Sequence, residues 1–397
     1  MAAEPATVVP MQLSTAHPLR IVIAPDSFKG TLSAVQAAQA MASGLRQVLT
    51  AAELRETPIA DGGEGTVEAL VVATRGECRE ASVTGPRGEP VRAAWGVLGD
   101  GRTAVIEVAA ASGLALVPPE ARDPCVTTTR GTGEQIRAAL DAGLRRFVIG
   151  LGGSASNDAG VGALRALGLR CLDAAGRDLV EGGAALALLA CIDTAGLDPR
   201  WLASEILVAC DVTSPLCGPY GAAAVFAPQK GATPAQVVQL DQALACFAAC
   251  ARAVTGRDVA DAAGAGAAGG FGAGLLFFSP AIIRPGIDVV LQASDFAAIV
   301  RDADLVLTGE GCTDAQTALG KAPVGVARVA REFDVPVICL SGCLGDGAEA
   351  VLQHGVTALV GVGDRPVPLE AGQRDAAAKL TQAASRLGPL IESMFRK

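Results

Sequence analysis

One pattern recurs along this chain and constrains its fold more than any other feature. A short, uninterrupted apolar run ends in a loop rich in glycine and acids, and a helical pattern follows. It appears at Leu19–Pro25 with Asp26-Ser27-Phe28-Lys29-Gly30, and, after the more polar strand Leu54–Ile59, a similar loop follows in Asp61-Gly62-Gly63-Glu64-Gly65-Thr66. It returns at Arg146–Leu151 with the loop Gly152–Gly160, and at Ala303–Leu307 with Gly309-Glu310-Gly311-Cys312-Thr313-Asp314-Ala315-Gln316. Continuous apolar runs without alternation read as strands buried on both faces, hence a parallel sheet in an α/β protein. In such sheets ligands bind beyond the carboxyl ends of the strands, where these loops fall.

Each loop carries chemistry and a plainer alternative. Asp26, Ser27 and Lys29 precede a helix that Ser33 is placed to cap, running to about Leu49; they form a ligand loop or an ordinary turn with an exposed lysine. Asp61 and Glu64 are suited to hold a metal or orient a hydroxyl, or they cap the helix Val67–Thr74. Gly152, Gly153, Ser154, Ser156, Asn157 and Asp158 precede the helix Val161–Leu167. They match neither a P-loop nor a dinucleotide fingerprint, yet supply the amides, hydroxyls and helix N-terminus of a phosphate cradle. Asp211, at the end of the strand Ile206–Ala209, is a candidate metal ligand or base. Thr127–Gly133, before a helix at about Glu134–Ala142, reads as a generic anion site or a cap. In the last motif Glu310, Asp314 and Gln316 open a helical pattern, with Lys321 about two turns further on.

The net charge of −9 and the lack of a Lys/Arg cluster argue against nucleic acid as a partner, so an anionic ligand needs a local site. Eleven cysteines without Cys-x-x-Cys spacing read as reduced thiols of a cytoplasmic protein. The two histidines, His17 and His354, are too few and too scattered for zinc or Ser-His-Asp chemistry. Residues 1–18 read as a disordered extension rather than a signal peptide, and no uninterrupted apolar stretch reaches the ~20 residues of a membrane span. Residues 80–108 change texture to short strand-like runs with turns at Gly85–Gly88 and Gly99–Gly101, an antiparallel meander. The expected organisation is therefore a discontinuous α/β domain, 19–80 with 287–397, around an inserted mixed domain at 81–286, with a cleft between them. The run Gly264–Gly274 is too glycine-rich for a helix throughout and reads as a close-approach loop or hinge. In the last third, helices are expected at about Gly286–Gln292, Val324–Phe333, Ala348–His354 and Gln373–Phe395. Strands are expected at Val335–Leu340, with the loop 341–345, and at Thr357–Val362.

Five segments in order, Pro25–Gly30, Ala60–Thr66, Gly152–Asp158, Pro228-Gln229-Lys230-Gly231-Ala232, and Thr308–Gly311 through Gly320-Lys321-Ala322-Pro323, resemble the glycerate kinase type-1 family. The resemblance runs from about residue 20 to about 390. It implies ATP- and magnesium-dependent phosphorylation of D-glycerate, usually at the 2-hydroxyl. It also implies two α/β domains, one of them flavodoxin-like and discontinuous.

Within that resemblance, the 152–158 loop, through Gly152, Gly153, Ser154, Ser156 and Asn157, is expected to hold the phosphates. Lys29, Lys321 and Asp211 are expected to be catalytic, with Asp211 positioning the attacking hydroxyl. Asp26, Ser27, Asp61, Glu64, Glu310, Asp314 and Gln316 are expected to bind substrate, and Asp158, Asp211 and Glu310 to hold Mg2+. The chain departs from the family at Cys312, where a basic residue is usual, at Cys343, where Ser is more frequent, and at Ala159, where Gly is common. Alternatives are a kinase of a related hydroxy acid, a 3-phosphoglycerate-forming enzyme, or an impaired nucleotide-binding regulator whose activity Cys312→Arg would restore. The sequence is compatible with a homodimer.

Overall fold

The computed structural model describes residues 18–363 and 375–395. The expectation for residues 1–17, and the start of the expected last helix at Gln373, lie outside them. In chain order the strands are β1 (Arg20–Pro25), β2 (Glu53–Glu56), β3 (Glu77–Thr84), β4 (Pro90–Val97), β5 (Thr103–Glu107), β6 (Arg146–Gly150) and β7 (Arg170–Leu172). They continue with β8 (Cys191–Asp193), β9 (Glu205–Ala209), β10 (Ile282–Arg284), β11 (Leu305–Thr313), β12 (Val337–Leu344) and β13 (Ala358–Gly361).

The first sheet has the order β13-β12-β11-β1-β2 and is parallel throughout. Numbered within the sheet this is 2-1-3-4-5, the flavodoxin-like order, whose switch point lies between β1 and β11. The second sheet, β10-β9-β6-β5-β4-β3, is parallel from β10 to β5 and antiparallel at β5-β4-β3, where the meander was expected. β7 and β8 form a small antiparallel pair that no sequence pattern announced.

Alternation within the apolar runs sorts the layers. Ile21, Ile23, Leu305 and Leu307 face the helices Ala34–Arg46 and Ala376–Phe395. Val22, Ala24, Val306 and Val337 face the opposite way, onto the helices Thr66–Thr74, Gly286–Ala293, Phe296–Val300 and Ala322–Arg331. That same core takes in Val105, Val148 and Ala209 of the second sheet. One helical layer is therefore shared by both sheets. The far face of the second sheet (Ile106, Phe147, Ile149, Ile206) lies on the helices Arg130–Asp141, Val161–Ala166, Pro234–Thr255 and Ala267–Phe278.

Several boundaries differ from expectation. β11 and β12 do not stop before their glycine loops but run extended to Thr313 and Leu344, because the two segments pair with one another through Cys312 and Cys343. The Gly309–Gln316 motif thus lies on a strand end, and the following α-helix begins only at Ala322. The glycine run is, as expected, not helical throughout: Gly264–Gly266 form a turn and regular helix resumes only after Gly270. The helix Ala267–Phe278 is kinked at Ala268–Gly270, and its Gly274 packs so closely that a Cβ would stand 2.2 Å from the Ala159 carbonyl oxygen. The helix Pro234–Thr255 is long and apolar enough to cross a membrane by length and composition, but it lays Leu240, Leu244 and Phe247 into the core, Phe247 edge-on to Phe277 at 6.0 Å. The segment Ala348–His354 is a 3-10 helix.

Candidate active site

The loops after β1, β2, β6, β9 and β11 converge on one cleft, formed by three adjoining cavities. The first, about 530 Å³, lies over the β1/β11 switch point and is bordered by Asp26, Lys29, Asp61, Glu310, Asp314 and Lys321. The second, about 490 Å³, lies over the second sheet and is bordered by Gly152, Gly153, Ser154, Asp211 and Lys230. The third, about 660 Å³, takes in Ser27, Glu64 and Glu68. Lys29 and Asp61 border all three. A groove at the other end of β1 and β2 is of similar size, about 460 Å³, but pairs its own charges, with Arg20 3.4 Å from Glu53.

The loops meet backbone to backbone, and glycine makes this approach feasible. Gly62 has φ +88°, and a Cβ on it would stand 2.7 Å from that of Ala209. A Cβ on Gly152 would come within 2.9 Å of the Gly63 Cα. Asp61 is tied locally, its Oδ1 accepting from the Gly63 N–H at 3.1 Å. Neither Asp61 nor Glu64 caps the helix Thr66–Thr74. Glu107, buried at the end of β5, reaches across from the other sheet and accepts from the Val67 N–H at 2.6 Å.

Electrostatically the cleft is a crowded set of carboxylates around few cations. Burial, then the neighbouring Asp61, push the Asp26 carboxyl up to about 7, against the pull of the Ser27 N–H at 2.6 Å. Glu310 is raised by burial while accepting from Thr317 at 2.7 Å and Thr313 at 3.0 Å. Asp211 is raised by burial while accepting from the Gly286 N–H at 2.7 Å. Lys321 lies 3.9 Å from Asp314. Burial pulls the Lys230 ammonium down to about 7; it donates to Ser154 Oγ at 2.8 Å and to the Ser156 carbonyl at 2.6 Å. The adjoining Cys343 thiol, then burial, push the Cys312 thiol up to about 11.

Four expected residues stand apart from the cleft lining. Asp158 is fully buried and its oxygens accept from the Thr129 N–H and hydroxyl, both at 2.9 Å, and from the Gly160 and Gly162 N–H groups. It ties two helix starts together and, fully buried, borders none of the three cavities where magnesium would meet phosphate. Nor is the 127–133 segment an open anion site: its anion is Asp158. Ser156 and Asn157 lie wholly buried behind Gly152–Ser154. Ser156 Oγ and both amide atoms of Asn157 have no partner within the protein, a cost proteins seldom carry away from functional loops. Gln316 is exposed and engages through its backbone, its N–H donating to Asp314 at 2.8 Å and its carbonyl accepting from the Leu319 N–H at 3.0 Å. Conversely, Lys230 was not among the expected site residues. It follows no strand, and the clue to it was its place in the segment Pro228–Ala232, one of the five that carry the family resemblance.

Among the described residues no group of three or more His, Cys, Asp or Glu side chains is arranged to hold a metal. The donor set nevertheless suits a hard cation. Asp61 and Glu310 raise the cost of ionising Asp26, and a divalent cation relieves it. Magnesium held by one or two carboxylates, with water and phosphate completing its shell, needs no larger cage.

A flavodoxin-like sheet joined to a mixed sheet, with amides, lysines and carboxylates converging beyond the strand ends, defines the cleft of an α/β enzyme. Comparison with known proteins narrows the class. The profile of the glycerate kinase family matches residues 21–392, and the chain belongs to that family. It is 53% identical over 374 residues to a glycerate kinase of Bacillus subtilis (strain 168), covering 94% of this chain and 98% of that one. It is 51% identical over 344 residues to a glycerate 2-kinase of Escherichia coli (strain K12), covering 87% and 90%. A crystal structure from Salmonella typhimurium LT2, provisionally described as glycerate kinase 2, superposes with a TM-score of 0.87 at 47% identity, over 95% of this chain and 99% of that one.

Proposed function

We propose that this enzyme transfers the γ-phosphoryl group of ATP to D-glycerate, at the 2-hydroxyl, with magnesium. The observation that carries the reading is the position of Lys29 and Asp61, which border both the cavity over the first sheet and the cavity over the second. The triphosphate lies along Gly152, Gly153 and Ser154, with Lys230 behind them. Glycerate lies over the switch point, its carboxylate near Lys321 and its hydroxyls near Asp26 and Glu310. Lys29, at the junction, neutralises charge on the moving phosphoryl group, whose transfer depends on positioning and electrostatics rather than covalent chemistry. Asp211, which also borders the second cavity, positions the attacking hydroxyl. Its carboxyl, raised by burial, is a better proton acceptor than an exposed aspartate. Glu310 and Asp211 would hold magnesium, which would supply positive charge to offset that of the phosphates.

We further read the two sheets as two domains, 19–80 with 287–397 and 81–286. The apolar layer they share favours loop closure over a wide hinge motion. The test is a coupled assay of ADP release with D-glycerate, followed by a phosphorus NMR spectrum of the product. A 2-phosphate resonance is expected; no ADP, or a 3-phosphate, overturns the assignment. The variant Cys312→Arg distinguishes an impaired relative: a large gain in turnover would mean that Cys312 had cost the enzyme its activity.

A further inference from the structure

Two of the chain's departures from its family pattern turn out to be neighbours. Cys312 on β11 and Cys343 on β12 are register partners in a parallel pair. Paired strands lie about 4.8 Å apart, inside the Cα separation that a disulfide spans without backbone movement. Both thiols are exposed, and both border the cavity that holds Asp26, Glu310 and Lys321. Of the other exposed cysteines, Cys78 is paired with Gly96 and Cys191 with Leu172, so neither faces a second thiol in this way.

We propose that Cys312 and Cys343 are a ligand-shielded dithiol, a modification site at which hydrogen peroxide closes an intramolecular disulfide across the cleft wall. In the first step one sulfur attacks a peroxide oxygen, the O–O bond breaks, water leaves and a sulfenic acid remains. In the second the other sulfur attacks that sulfenic sulfur, the S–S bond forms, the S–O bond breaks, and hydroxide leaves with the second thiol's proton as water. Two thiols are oxidised by two electrons and one peroxide is reduced to two waters; a small dithiol reverses the change. The cavity's occupant and the oxidant compete for one space. The identity of that occupant rests on the function proposed above, whereas disulfide formation does not.

The test treats the full-length protein with hydrogen peroxide, alkylates it and maps its peptides by mass spectrometry, alone and with magnesium-ATP or D-glycerate. The expected result is a Cys312–Cys343 cross-linked peptide pair, two hydrogens lighter than the separate peptides and absent after dithiothreitol. At a ligand concentration of roughly ten times its Kd, cross-linking slows about tenfold. Cys312→Ser and Cys343→Ser each abolish the cross-link, while Cys78→Ser keeps it and so controls for folding. Recovery of both cysteines as free thiols, or as separately over-oxidised acids without a cross-link, overturns the proposal. So does cross-linking that neither ligand slows. A protein that forms the cross-link and shows shielding by ATP alone, yet releases no ADP with D-glycerate, retains this inference and loses the kinase reading.

Discussion

Asp26 and Lys230 are titratable groups driven toward neutrality by burial from opposite directions, and they give the molecule a pH signature. Between about 4 and about 7 the folded protein keeps the Asp26 proton that the unfolded chain releases, so this residue makes stability fall as pH rises through that window. Between about 7 and 10.5 the folded protein has lost the Lys230 proton that the unfolded chain retains, so this residue makes stability rise with pH. Urea denaturation across pH 4 to 10 should show Asp26→Asn flattening the first slope and Lys230→Met flattening the second. In the kinase assay, Lys230→Met should lower kcat by about 10²- to 10³-fold, the usual cost of one preorganised donor near transferring charge. An unchanged kcat would place the phosphates elsewhere.

At the scale of elements, Glu107 and the glycine contacts join the two halves of the cleft. Glu107→Ala leaves the helix at Thr66–Thr74 without its partner from the second sheet, and should cost about 1–3 kcal/mol in chemical denaturation. Gly152→Ala pushes the 150–152 and 62–63 loops apart. Its kcat/KM should drop about 10- to 100-fold, more than its stability change accounts for. These elements also show what sequence can disclose. The loops Asp26–Lys29 and Gly152–Ser154 were legible because each follows directly on a buried, largely apolar parallel strand; β2 (Glu53–Glu56) is a polar, half-exposed edge strand, and the loop Asp61–Glu64 was legible from its own glycines and acids. Asp158 and Glu107 were not legible. Both are acids beside a helix start, and whether such a group serves a ligand or another segment's N–H depends on contacts 29 and 40 residues away. Lys230 escaped because burial, not neighbouring residues, makes it unusual. The β11 extension escaped because it depends on pairing with β12.

At the scale of the whole molecule, the helical layer common to both sheets predicts joint unfolding. Trp95 and Trp201 both report on the second sheet and its helices, whereas far-UV circular dichroism reports on the entire chain. The two signals should trace one coincident denaturation curve, and separated midpoints would show that the halves melt independently. The same topology has a consequence during synthesis. β1, an inner strand of its sheet, is complete within the first 25 residues, yet its partner β11 lies about 280 residues later, as in the pairing of Arg20 with Asp304, 284 positions apart. At ~5–20 residues per second, the ribosome leaves that flank of β1 open for roughly 15 to 55 s. The inserted half can fold first, and the nascent enzyme must keep one bare apolar edge from its neighbours until the final third of the chain emerges.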